Sequence, residues 1–138
     1  MNNVKKNNKG FSLVELIVVV LIMAIIAVAM APQVMKWVDK SRQAKDSSNY
    51  DALFSAAQLS TVAVSADKKI TISFGSTTTA TIETGGTKLD AFKGEMSKNL
   101  PGWDTLKVVS TEKTGPFYIY IEGTKVSKGT APQEVITD

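Results

Sequence analysis

The chain has no cysteine and no histidine. Without cysteine, no disulfide can staple an exported part and no thiol nucleophile exists. Without histidine, the commonest general base and metal ligand is missing. The acids are not clustered as a metal site would need, so the sequence reads as a non-enzyme that uses no metal and no cofactor. Excess charge is lacking as well. The formal net charge is +3, but Lys5, Lys6 and Lys9 precede the first hydrophobic run, and the 13 remaining basic residues balance 13 acidic ones. A neutral remainder carries no electrostatic footprint of a dedicated nucleic-acid site, and Lys68 and Lys69 make only a small patch. Glycine and proline are absent from Gln33 to Val64, so nothing there stops a helix. No Asn-x-Ser/Thr site occurs, and the hydroxyl-rich stretch from Thr71 to Thr87 reads as strand and turn rather than a sugar acceptor.

What the chain does have is one long apolar run. From Phe11 to Ala31 there are 21 residues, interrupted only by Ser12 and Glu15. As a helix, this length covers roughly 30 Å, the thickness of a bilayer's hydrocarbon core. The three lysines before the run place the N-terminus in the cytoplasm and the remainder outside. A secretory signal peptide would have a shorter apolar core, a small-x-small cleavage site and no acid inside it. Glu15 is the discordant residue, because an acid within a spanning helix costs on the order of 2.5–3.5 kcal/mol on insertion scales.

The lysine-rich leader ending in Gly10, then Phe11, Ser12, Leu13, Val14 and Glu15, and the apolar residues up to Pro32 closely resemble the prepilin signature. That signature belongs to type IV pilins and type II secretion pseudopilins, and the resemblance covers residues 5 to 35. It implies that Gly10 is the residue after which prepilin peptidase cuts, and that Phe11 becomes the new N-terminus, modified to N-methylphenylalanine. It implies that Glu15 is the acid needed for assembly and that Pro32 bends the helix. One departure is Ala24, where many members carry glycine; alanine favours helix by about 1 kcal/mol.

Two readings of Glu15 stand side by side. In one it is an acid near the membrane edge that reaches the headgroups. In the other it pairs with the amine freed at Phe11, on its own helix or on a neighbouring subunit, and fixes register because a misplaced neighbour leaves both charges unpaired.

Beyond the apolar run, the pattern predicts a helix of about 50 residues with a bend from Val28 to Ala31, ahead of Pro32. Tyr50, Leu53, Phe54, Ala57, Leu59 and Val64 form its packing stripe, while Lys36, Asp39, Lys40, Arg42, Lys45 and Asp46 make the preceding turns polar. Ile70, Ile72 and Phe74, then Ala80 and Ile82, alternate as a hairpin. A helix is expected over Lys88 to Lys98, with Thr87 as N-cap and Asp90 three residues on. Strands are expected at Leu106 to Thr111 and Phe117 to Glu122, the second with Phe117, Ile119 and Ile121 on one face and Tyr118 and Tyr120 on the other. Residues 127–138 read as a loose tail in which Val135 and Ile136 alone suit docking.

The expected class is α+β with a pilin-like fold: a long N-terminal helix, transmembrane in its apolar first half, packed by its C-terminal half on a small antiparallel sheet. The expected division is a cleaved leader at 1–10, the helix at 11–64 with 11–31 as transmembrane segment or filament core, and a β-rich head at 65–138. The resemblance implies a structural subunit of a type IV pilus, the major pilin being favoured because no added domain is visible. A minor pilin, or a pseudopilin of a secretion or DNA-uptake system, is the alternative. A solitary membrane-anchored binding module is the rival from another class. The implied partners are further pilin subunits in a homopolymer, prepilin peptidase, the pilus assembly platform with its ATPase machinery, and the membrane before assembly. The implied location is the cytoplasmic membrane first and an extracellular pilus afterwards. Adhesion, twitching motility and secretion are the tasks open to such a filament.

Overall fold

A stretch with no internal glycine folds as one 51-residue helix, α1 (Leu13–Ala63), in the computed structural model. The structure describes residues 10–75, 79–84, 86–110 and 116–129. Pro32 lies inside α1 without ending it. The chain divides between Trp37 and Val38 into two compact units. In the first, every described residue is exposed within the single chain.

The second unit contains the last turns of α1 and a four-stranded sheet in the order β2-β1-β3-β4. β1 (Ile70–Phe74) pairs antiparallel with β2 (Thr81–Thr84) as the expected hairpin, with a bulge between Thr71 and Ile72. β3 (Phe117–Glu122) lies on the other side of β1, Ile72 opposite Ile119, and pairs in turn with β4 (Lys125–Gly129). The period of two puts Ile70, Ile72, Ile119 and Ile121 on one face, where all are buried with Leu53, Ala56 and Ala57 of α1. Helix α2 (Leu89–Asn99) adds Phe92 and Met96, and a 3-10 turn (Trp103–Thr105) adds Trp103. Tyr118 and Tyr120 share the opposite face with parallel rings 6.3 Å apart.

Several expectations need correction. Leu59 is 59% exposed and lies off the packed face, which instead uses Ala56, Ser60 and Thr61. Asp46, expected on a polar turn, is fully buried. Its carboxylate accepts the amides of Val109 at 2.8 Å and Ser110 at 2.9 Å. Those bonds explain why Leu106 to Ser110 is not a strand. Leu106 donates to Trp103 and Val108 to the Gly75 carbonyl, but the amides of Val109 and Ser110 are spent on Asp46 in place of a strand partner. Thr111 lies outside the described residues.

Thr87 does not cap α2. Its amide and hydroxyl both donate to Asp67, and Lys88 occupies the N-cap position without a side-chain bond. The supposed tail begins as a strand, since Ser127 to Gly129 belong to β4, joined to β3 by a two-residue turn with Gly123 at φ +63. A positive φ at the first turn position suits glycine and closes a tight hairpin. Val135 and Ile136 lie outside the described residues.

Candidate functional site

The residues that matter cluster where α1 begins. An α-helix leaves its first amides without internal partners and carries a partial positive charge at that end. Ser12, just ahead of Leu13, accepts the Glu15 amide on its hydroxyl at 3.3 Å, while the Glu15 carboxylate accepts the Ser12 amide at 3.1 Å. This reciprocal pair is a capping box, and its Ser-x-x-Glu spacing is visible in the sequence beside the charge of Glu15. The acid is therefore hydrogen-bonded within its own chain, at the helix end whose dipole favours an anion.

Just upstream, Gly10 is exposed, and a Cβ added there would meet no other described residue within 4 Å. Phe11 is 84% exposed. The Gly10–Phe11 bond thus sits on open backbone next to the first turn. Downstream, Leu13, Leu16, Ile17, Val20 and Leu21 line a shallow apolar groove along the helix. Pro32 is not brought to this end, since the 17 residues separating it from Glu15 amount to about 25 Å of helix. Among the described residues, no group of three or more His, Cys, Asp or Glu side chains converges as a metal site would require.

Two charged groups in the second unit have structural partners that sequence reasoning missed. Lys128 pairs with Asp51, and its ammonium lies 4.8 Å from the Tyr50 ring centre and 5.0 Å from that of Phe54. Tyr50 in turn donates its hydroxyl to the Tyr118 carbonyl at 2.8 Å. Burial pushes the Tyr50 phenol above its ordinary value, partly opposed by the Gly129 backbone. Asp67 is held below the ordinary carboxyl value, first by the Thr87 hydroxyl and then by the Thr87 amide. The only sequence signals for these pairs were isolated charges next to apolar positions, which do not name a partner.

The apolar helix, the capped acid and the open glycine coincide with a known signature. Residues 5–31 match the prokaryotic N-terminal methylation motif. The motif is the prepilin signature of type IV pilins and pseudopilins, and it supports a type IV pilin-like or pseudopilin protein. The α+β architecture, with its long N-terminal helix and four-stranded antiparallel sheet, agrees with a pilin fold. The methylation motif ends within α1, so it describes the helix and not the sheet. No curated protein and no solved structure matches the chain. In general terms, the motif implies processing by prepilin peptidase, assembly into a filament, and membrane anchoring beforehand.

Proposed function

We propose that this chain is the precursor of a type IV pilus subunit, and that it serves as the major pilin. The observation that carries this reading is the methylation motif lying on a helix whose apolar half has no cover in the single chain. Such a surface needs lipid or other copies of itself, and a helical polymer supplies the second after the first. Prepilin peptidase cuts after Gly10, Phe11 is N-methylated, and the subunit waits in the cytoplasmic membrane with its N-terminus inside. The assembly platform and its ATPase then move it into an extracellular homopolymer. Residues 1–10 act as leader, 11–31 as membrane anchor and filament core, and 65–138 as the head. Pro32 bends the helix by crowding the turn before it.

Glu15 pairs with the Phe11 amine of a neighbouring subunit. The capping box gives the carboxylate a partner until then, because Ser12 occupies one of its oxygens while the subunit is alone. The major role is favoured because the second unit holds one small sheet and no inserted domain among the described residues. Mass spectrometry of sheared surface material tests the reading. The expected species starts at methylated Phe11 and dominates the filament; intact Met1 to Gly10 on filament protein would overturn the processing step, and trace abundance would overturn the major role.

A further inference from the structure

We propose that Trp37 is an interfacial anchor that seats α1 at the outer lipid headgroup boundary and so fixes the depth of Glu15 at the inner one. This rests on the membrane-spanning reading above. The chain has two tryptophans with opposite surroundings. Trp103 is 6% exposed and donates its indole N–H to the Ser97 hydroxyl at 3.2 Å. Trp37 is 64% exposed, and among the described residues its indole has no hydrogen-bond or ring partner. An indole is costly to leave in water and costly to bury without a hydrogen bond. The headgroup level offers apolar contact to the ring and an acceptor to the N–H, which is why tryptophan gathers there.

Helix geometry places it at that level. Glu15 and Trp37 are 22 residues apart, about 33 Å along the axis, against about 30 Å of hydrocarbon. One cannot lie deep without expelling the other on the far side. At about 100° per residue, Val34 and Trp37 lie about 60° apart on one side while Lys36 points away from Val34, an arrangement suited to an interface rather than to the hydrocarbon core. A Lys36 ammonium at this depth reaches water along its own stem.

The test uses the full chain in phosphatidylcholine vesicles containing lipids brominated either near the headgroup or near the chain end. Trp37→Phe supplies the Trp103 background. The difference emission should be blue-shifted from its value in water and quenched by headgroup-proximal bromine on the order of twofold more strongly than by chain-end bromine. Quenching by aqueous acrylamide alone, or strongest quenching by chain-end bromine, would overturn the anchor. Failure of the protein to float with vesicles would instead overturn the spanning reading beneath it. The depth claim has its own readout, because a chain without cysteine accepts one label cleanly: a nitroxide on Leu13→Cys should change its depth when Trp37→Asp is added. An unchanged depth would remove Trp37 from the control of Glu15.

Discussion

The two halves of α1 have the same backbone and opposite fates. From Leu13 to Trp37 the helix is apolar nearly all round and exposed all round; from Val38 to Ala63 it is polar overall yet buries Asp46, Leu53, Ala56, Ala57, Ser60 and Thr61. Hydrophobicity alone therefore does not say which part of this helix forms the core of the folded chain. The first half lacks a stripe because it has no single partner, and lipid or many neighbouring helices suit it equally. The second half needs only one face, because the sheet, α2 and the segment at Val108 to Ser110 all meet it on that side.

The first way to break the comparison is at Glu15, and it has the largest expected effect. Glu15→Leu removes an acid from the membrane-spanning run and adds an apolar side chain, so the variant should insert at least as well as the wild type. It should form no filaments, because the neighbour's amine is left buried without a partner at a cost of about 3–5 kcal/mol per interface. Glu15→Gln separates the two roles of this residue. Glutamine can still complete a capping box but carries no charge. Filaments should be lost in both variants; wild-type yields from the glutamine variant, seen by negative stain of sheared material, would leave capping as the function of Glu15.

The second way tests the packed face on a chain lacking residues 1–34, which is expected to be soluble, monomeric and folded. Leu53 is fully buried, so Leu53→Ala should cost about 2–5 kcal/mol in denaturant unfolding. Leu59→Ala, a few residues on and exposed, should stay within about 0.5 kcal/mol. Equal losses would mean that the helix is rotated relative to the face described.

Asp46 sharpens the comparison further, since it is a buried charge on the polar half. Asp46→Ala deletes an acceptor for two amides, and hydrogen bonds to a charged group are worth about 1.5–3 kcal/mol each. A net loss of about 3 kcal/mol is expected after partial rehydration of those amides. Asp46→Asn should cost less, because one oxygen remains as an acceptor. Hydrogen exchange at Val109 and Ser110 should accelerate in both variants; unchanged exchange would show that the carboxylate does not hold this segment.

The sequence made the large periodic elements legible. The length of α1, the β1–β2 hairpin and the two faces of β3 all follow from where glycine and proline are missing and where the period is two. What it hid depends on partners distant in sequence. Asp46 looks like any surface acid until Val109 and Ser110 meet it 63 and 64 residues later. β4 has only Val126 as a large apolar residue, so its existence rests on backbone pairing with β3, though the glycine in the Glu122 to Lys125 turn was a readable sign. At the helix start, Glu15 carries two signals at once, a charge inside an apolar run and the Ser-x-x-Glu spacing of a cap.

The smallest expected effect is a pH dependence at Asp67, which ties the segment after α1 to the start of α2. Its carboxyl is held below its ordinary value of 3.8, chiefly by the Thr87 hydroxyl, so the folded chain favours the ionised form more than the unfolded chain does. Where the unfolded state binds more protons, stability rises with pH. The contribution is therefore fully present above 3.8, and it is lost as pH falls from there through the lower folded value. Because the group lies at the surface, the effect should be slight and should weaken with added salt. Asp67→Asn in the shortened chain should lower stability slightly at neutral pH and flatten the part of the acid-stability curve just below pH 3.8, where the two curves converge. Thr87→Val, which keeps the amide but deletes the hydroxyl donor, should move the curve in the same direction by a smaller amount. If the two variants and the parent chain gave superimposable curves, the Asp67–Thr87 contact would carry no weight in solution, and α2 would be held by the packing of Leu89, Phe92 and Met96 and by the Asn99–Ser60 hydrogen bond.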